Sequence, residues 1–232
     1  SSNGTVEFIG LPDSVTTVGK NAFSDCTALS YVSFGANLNK IGDNAFSGCY
    51  SLKKAELKKG VTYIGKGAFK GCSSLSFAAI PDGVAFIGEK AFFGCSALEK
   101  VTLPESVTDL HTSAFENCSS LLKAELRGVK TIGDRAFYNC AALSEISFSP
   151  SLKEIGAFAF SVNTSLEKVT LPPNTELVSD KAFSRCTSLK TVTIFSEALK
   201  MSATALDGCT SLYAIYGSSA FSSEAASGIR NT

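Results

Sequence analysis

The sequence predicts a right-handed α/β solenoid, a chain that coils through about nine near-identical turns stacked side by side. Three observations lead to this prediction. An Ala-Phe pair returns at intervals of 23 residues with one exception, a cysteine follows three residues after all but one of the pairs, and a leucine follows three residues after each cysteine. A fixed period of this length is the signature of repeat architectures. We therefore expect residues 1–232 to form one domain.

The Ala-Phe pairs mark the turns of the coil, and one interval of 22 residues is the only departure from their spacing. The pairs are Ala22-Phe23, Ala45-Phe46, Ala68-Phe69, Ala91-Phe92, Ala114-Phe115, Ala136-Phe137, Ala159-Phe160 and Ala182-Phe183, and Ala205-Leu206 ends the series. The cysteine column is Cys26, Cys49, Cys72, Cys95, Cys118, Cys140, Cys186 and Cys209, which are all eight cysteines of the chain. Asn163 stands in this column in one turn, where we expect its amide to bond to loop carbonyls.

Each repeat contains a short strand and a tight turn. Its L-x-x-V-x-L segment ends in an alternation of β-favouring residues, which predicts a strand. Its I-G-x-x-A-F-x-x-C segment has apolar spacings of three and four, which suit a helical or 3₁₀ turn. One repeat cannot bury its apolar side alone, so the repeats stack. We expect a parallel sheet on the concave face and the helical turns on the convex face.

A glycine follows the isoleucine of most repeats, as at Gly42 and Gly88. We expect this residue either to adopt a positive φ or to allow neighbouring turns to approach closely. His111, Ser179 and Ser202 occupy the same column. The requirement for glycine is therefore not absolute.

The C-terminal end departs from the repeat. The stretch Gly217–Gly228 lacks the cysteine and the leucine that follows it, and its Ser, Ala and Glu content predicts a short helix with Ser218 or Ser219 as N-cap. An uncovered last turn would expose core residues and an unpaired strand edge. We therefore expect residues 217–232 to form a C-terminal capping helix.

The repeat also resembles a known family. The runs IGDNAFSGCYSL, IGKGAFKGCSSL and IGEKAFFGCSALEKVTLPESV are similar to the BspA-like branch of the leucine-rich repeat proteins, and the similarity extends over nearly the whole chain. The resemblance implies an extracellular or cell-surface location. It also implies adhesion to a protein or glycan partner on another cell, a host or the matrix.

The cysteine column could form disulfides or fill the core. Equivalent positions of adjacent turns point in parallel, whereas a disulfide needs converging Cβ atoms ~3.8 Å apart. Reduced cysteine is among the most buried residue types. We therefore predict a column of buried free thiols. One cysteine per turn also does not supply the C-x₂₋₄-C spacing of a zinc site.

Composition and motifs argue against several classes of function. Lys plus Arg and Asp plus Glu number 21 each, so no overall basic field attracts nucleic acid. No run approaches the ~20 apolar residues of a membrane-spanning helix, so we expect no membrane insertion by this segment. His111 is the single histidine, and the sequence contains no G-x-S-x-G, P-loop or H-E-x-x-H motif. We predict a protein that is not an enzyme and binds no cofactor or metal.

The third and fifth positions of L-x-x-V-x-L should point outward from the sheet. The candidate ligand-binding residues in these two columns are Tyr31, Lys54, Glu56, Phe77, Lys100, Thr102, Lys123 and Glu125. A solvated face with locally balanced charges would also explain the Lys and Glu residues, since exposed ion pairs contribute only about 0–1 kcal/mol. Phe77 favours binding, because an outward aromatic has no core to join.

Two functional interpretations remain open at this point. In the first, the chain is a binding or adhesion module that recognises its partner through the concave face. In the second, it is a rigid structural spacer or a self-associating surface-array domain without a ligand of its own.

Overall fold

The computed structural model describes residues 5–217, which contain nineteen β-strands. Strands of three or four residues alternate with strands of two residues along the chain. The longer strands are β1 (Phe8–Gly10), β3 (Tyr31–Ser33), β5 (Lys54–Glu56), β7 (Phe77–Ala79), β9 (Lys100–Leu103), β11 (Lys123–Leu126), β13 (Glu145–Ser147), β15 (Lys168–Leu171), β17 (Thr191–Ile194) and β19 (Ala214–Gly217). The two-residue strands are β2 (Thr17–Val18), β4 (Lys40–Ile41), β6 (Tyr63–Ile64), β8 (Phe86–Ile87), β10 (Asp109–Leu110), β12 (Thr131–Ile132), β14 (Glu154–Ile155), β16 (Leu177–Val178) and β18 (Lys200–Met201).

The longer strands form the parallel sheet that the repeat predicts, with equivalent residues of successive turns side by side. Lys100 pairs with Lys123, for example, and Lys123 pairs with Glu145. The hydrogen-bonded ladders fall into three groups within the described residues, β1-β3-β5-β7, β9-β11-β13 and β15-β17-β19. The chain is therefore a parallel-strand β-solenoid of about nine turns, and its first sheet is interrupted twice.

The two-residue strands form a second parallel sheet, which the sequence pattern did not predict. All nine of them lie in one uninterrupted order from β2 to β18. Ile41, Ile64 and Ile87 pair in register along this sheet and are fully buried. Except at the two interruptions of the first sheet, each described turn is therefore held to its neighbours by strand pairing at two places.

The expected helical or 3₁₀ turns are wrong, because residues 5–217 contain no helix. The segment consists instead of successive β-turns, in which Ala45 N–H donates to Gly42 O and Cys49 N–H donates to Phe46 O, both at 3.2 Å. The third residue of each turn is left-handed, with φ 52° at Asn44 and 75° at Gly48. A helix needs a run of negative φ values, so these residues end it before it forms.

The regular spacing of the glycine column reflects close approach between turns. A Cβ on Gly88 would lie 2.6 Å from the Lys66 nitrogen of the preceding turn, and the φ of Gly88 is not positive. A Cβ on Gly19, in the first turn, would meet no atom of another turn within 4 Å. Of the two expectations for this column, close approach is confirmed and positive φ is wrong.

The phenylalanine of each Ala-Phe pair stacks on the phenylalanine of the next turn. Phe92 and Phe115 have ring centroids 5.1 Å apart with an interplanar angle of 2°. The other stacked pairs from Phe23 to Phe183 lie 5.2–5.4 Å apart. These rings form the centre of a core that continues through every described turn.

The cysteine column is a column of free thiols, as predicted. Seven of the thiols are buried and Cys209 is half-buried. Each from Cys49 onward donates to the carbonyl of the phenylalanine one turn back, as Cys72 Sγ does to Phe46 O at 3.1 Å. Burial raises the pKa of Cys49 and of Cys140 to about 12, so these sulfurs stay protonated near neutral pH.

Asn163 does not behave as expected. Its side chain is fully buried, and its Oδ1 accepts a hydrogen bond from the Cys140 backbone N–H at 2.8 Å instead of its amide reaching a loop carbonyl. Its Nδ2 has no hydrogen-bond partner within the described residues. Asn163 therefore accepts a backbone hydrogen bond where the other turns have a thiol donor, and its own Nδ2 is left unsatisfied.

The sequence also led to expectations about a C-terminal capping helix and about membrane insertion. Gly217 ends β19, and the rest of the predicted capping helix, residues 218–232, lies outside the described residues. Across residues 5–217 no helix has the length and apolar character needed to cross a bilayer.

Candidate binding face

We call the outward side of the longer strands the ladder face. Its strands alternate between outward side chains and buried ones, so that Ala55 is buried between Lys54 and Glu56. Val101 and Ala124 are buried in the same position of β9 and β11. The structure places all eight predicted binding residues on this face, in the two outward columns.

The first part of the ladder face is aromatic. Tyr31, Lys54 and Phe77 are aligned on neighbouring strands. The Lys54 ammonium lies 5.4 Å from the centre of the Phe77 ring and pairs with Glu56. Phe8 stacks on Tyr31 at 5.5 Å between ring centroids. The result is a row of exposed rings and one cation, the combination found in many interaction hot spots.

The second part of the ladder face is a charge network on β9, β11 and β13. The Glu125 carboxylate forms ion pairs with the Lys100 ammonium at 3.1 Å and with the Lys123 ammonium at 3.5 Å. Lys123 also forms an ion pair with Glu145 at 3.2 Å. The hydrogen bond from Lys100 lowers the pKa of Glu125, and the hydrogen bond to Glu145 raises the pKa of Lys123. These charges hold one another in place across three strands.

The two parts meet where the first sheet is interrupted. Strands β7 and β9 are neighbours in space but share no ladder within the described chain. A depression of about 430 Å³ opens there, and three of the predicted residues line it, namely Phe77, Lys100 and Thr102. Tyr31, Lys54 and Glu56 lie to one side of the depression, and Lys123 and Glu125 to the other.

Sequence reasoning missed two residues of this surface. Phe8 is 59% exposed and lies 23 residues before Tyr31, so the repeat period alone would have placed it in the same column. Arg127 lines the depression and lies 3.5 Å from Glu125. No comparable signal marks Arg127, because it lies in the repeat that is one residue short.

The side chains of the ladder face are of the kinds that make non-covalent contacts with another molecule. The described residues contain no group of three or more His, Cys, Asp or Glu side chains arranged to hold a metal ion. What the ladder face presents is exposed rings, paired charges and a shallow depression on a rigid sheet. Such an arrangement suits recognition of another molecule.

Comparison with known proteins agrees with this geometry. The family described as BspA type leucine-rich repeat region matches residues 2–122 and 123–225, in six copies. No curated protein matches the chain.

Several solved structures are similar. A leucine-rich repeat protein from Bacteroides ovatus is 33% identical with a TM-score of 0.83, and the match covers 94% of this chain and 57% of that one. The chain thus spans little more than half of that protein's length. A leucine-rich repeat protein from T. pallidum is 31% identical with a TM-score of 0.57, over 60% of this chain and 66% of that one.

A third solved structure is described as a leucine-rich cell surface protein from Faecalibacterium prausnitzii. It is 25% identical with a TM-score of 0.54, over 97% of this chain and 82% of that one. The family match extends over almost the whole sequence, and the repeat register, the stacked phenylalanines and the parallel ladders are present in the structure. The chain therefore belongs to the BspA-type leucine-rich repeat proteins.

Proposed function

We propose that the chain is a binding or adhesion module, located outside the cell or on its surface, that recognises a protein or glycan of another cell, a host or the matrix. The ladder face is its binding surface, and it performs no chemistry of its own. Leucine-rich repeat proteins generally mediate interactions, and one similar structure carries a cell-surface description.

The observation that carries this proposal is the depression between β7 and β9. It brings the Phe77 ring beside Lys100, Thr102 and Arg127, and Asp82 and Glu99 line the same depression, so that one partner can contact an apolar ring and charges of both signs together. Binding energy concentrates in such clusters of aromatic and Arg side chains on a rigid frame. The exposed pair of Phe8 and Tyr31 extends the same surface by two strands.

The test compares two charge-reversal variants in binding to immobilised matrix proteins and to a glycan array. The first variant carries Lys54→Glu, Lys100→Glu and Lys123→Glu on the ladder face. The matched control carries the same change at three exposed lysines away from that face, Lys20, Lys130 and Lys200. Both variants change the net charge equally.

We expect the ladder-face variant to lose binding by at least about tenfold, because it removes charge-assisted contacts of about 1.5–3 kcal/mol each. The control should bind as the unmodified chain does. Equal binding by all three proteins would refute the ladder face as the binding surface. Filament formation by a chain that binds none of the probes would favour the spacer or array interpretation.

A further inference from the structure

A second pocket lies along the Ala-Phe turns, away from the ladder face. It is a pocket of about 350 Å³, within the range of small-molecule sites, which is roughly 300–1,000 Å³. We call it the turn-face pocket, and the residues that define it are Arg135, Phe158, Ser161, Lys181, Ser184 and Arg185. None of them belongs to the ladder face.

The floor of the turn-face pocket is polar. Ser161 and Ser184 follow the phenylalanine of their turns, and both are buried, at 2% and 5% exposure. Their hydroxyl oxygens lie 2.8 Å apart and share a hydrogen bond. A hydroxyl oxygen has two lone pairs and one proton. The pair can therefore still bond to a ligand that reaches the floor.

The walls are cationic and aromatic. The Arg135 guanidinium binds the buried Glu116 carboxylate through two hydrogen bonds of 2.9 and 3.2 Å, and it stacks 4.1 Å from the centre of the Tyr138 ring. The Lys181 ammonium lies 5.7 Å from the centre of the Phe158 ring. Arg135 is thus fixed in position, and its ring partner shapes one wall.

The charges of the pocket are not balanced. Arg135 has the Glu116 carboxylate, but Lys181 and Arg185 have no carboxylate within ion-pair distance in the part of the chain that the structure describes. Asp207 lines the pocket without pairing with them. Two cations that face one cavity attract an anion.

The first two turns of the solenoid show that this chemistry is local. Ser24 and Ser47 occupy the column of Ser161 and Ser184, but their neighbours there are Asn44, Asp25 and Gly48 rather than cations. The repeat frame alone therefore does not create the site. The side chains that create it are confined to the turns between Arg135 and Gly208.

We propose that the turn-face pocket binds a small ligand that carries an oxyanion, either a carboxylate or a phosphate group. Lys181 and Arg185 bind the anionic group, the hydroxyls of Ser161 and Ser184 bond to it or to a neighbouring polar group, and the Phe158 and Tyr138 rings contact the remainder of the ligand. This site is independent of the ladder face and of the function proposed for it.

The test is a titration of the ¹⁵N-labelled chain, at constant ionic strength, with glucuronate, glucose 6-phosphate, inorganic phosphate and glucose. We expect saturable shifts of the Ser161, Ser184 and Arg185 amide signals with at least one anion and none with glucose. Saturation by glucuronate alone assigns a carboxylate ligand. Saturation by glucose 6-phosphate or phosphate assigns a phosphate group.

Two double variants provide the control. Lys181→Gln with Arg185→Gln should weaken the binding of the active anion at least about tenfold, because two charge-assisted contacts are lost. Lys58→Gln with Lys59→Gln removes the same charge from an exposed loop and should leave binding unchanged. Circular dichroism confirms that each variant is folded. The proposal fails if no anion gives saturable shifts, or if both double variants weaken binding equally.

Discussion

Two turns of the solenoid share a stacked phenylalanine but differ in the residue at the cysteine column. One contains Phe115 and Cys118, and the other contains Phe160 and Asn163. Both phenylalanines are fully buried, and each stacks on its neighbours at 5.1–5.4 Å. The repeat is therefore equally well packed at its centre in both turns.

The two turns differ in how they satisfy the backbone around the column. Cys118 donates its thiol proton to Phe92 O at 3.3 Å. Asn163 instead accepts the Cys140 N–H, so the Cys140 amide no longer closes its own turn and Phe137 O lacks the thiol donor that the other turns provide. The stacked phenylalanines are thus the same in both turns, and only the hydrogen bonds made by the residue at the cysteine column differ.

Removing a stacked phenylalanine, the feature that both turns share, should change the free energy of unfolding most. We expect Phe115→Ala and Phe160→Ala each to lower the free energy of unfolding by about 3–5 kcal/mol, because each leaves a cavity in a stacked column. Urea denaturation measures this loss. Phe23→Ala serves as the control, since Phe23 is only partly buried and should cost less. A much smaller loss for Phe160→Ala than for Phe115→Ala would contradict equal packing of the two turns.

The column residue should give the next largest effect. Asn163→Cys restores the thiol donor to Phe137 O and removes a buried amide nitrogen without a partner. We expect the free energy of unfolding to rise by about 1–3 kcal/mol, the cost of such an unsatisfied group. Thermal and urea unfolding would show the gain. A loss of stability would mean that the Cys140 contact outweighs the orphaned nitrogen.

Substitution of the residue that precedes the cysteine column should change the stability of the chain least. Val162 has φ 65°, whereas the same position in a regular turn is Gly94 with φ 71°. A β-branched residue is strained there by about 1–3 kcal/mol, and part of the gain from removing it is offset by the greater chain entropy of glycine. We expect Val162→Gly to stabilise the chain by about 1 kcal/mol.

The reverse substitution, Gly94→Val, should destabilise the chain by a similar amount. The added Cβ has room, since it would meet no atom closer than 3.8 Å. The Cβ itself therefore causes no clash, and the expected loss comes from the positive φ of 71°. If both substitutions changed the melting temperature in the same direction, strain would not distinguish the two turns.

The sequence was informative where a residue type repeats at a fixed position. The Ala-Phe pairs and the cysteines predicted stacking, the thiol column and the first sheet, because only stacked turns can bury them. The second sheet was missed because a two-residue strand has no alternation to detect. Thr17-Val18 and Lys40-Ile41 show one outward and one buried residue each, which is too short for a period.

The helical turn was predicted wrongly because successive β-turns and a helix share spacings of three and four. The distinguishing signal is the left-handed residue, which glycine and asparagine mark at Gly67 and Asn44. Lys90, Arg135 and Phe158 adopt a similar positive φ in other turns. The left-handed position therefore cannot be recognised from residue type alone. The outward columns of the binding face could be predicted from strand alternation. The gap between β7 and β9 could not, because it depends on the packing of the two strands and no repeated residue position in the sequence marks it.

The thiol column has a consequence for the redox behaviour of the chain. Thiol–disulfide exchange and oxidation proceed through the thiolate, which burial disfavours at Cys49 and Cys140. From Cys49 onward, each sulfur also donates its proton to a carbonyl one turn back, as Cys95 does. Completion of this fold therefore requires no oxidant, and its cohesion does not depend on the reducing or oxidising state of its surroundings.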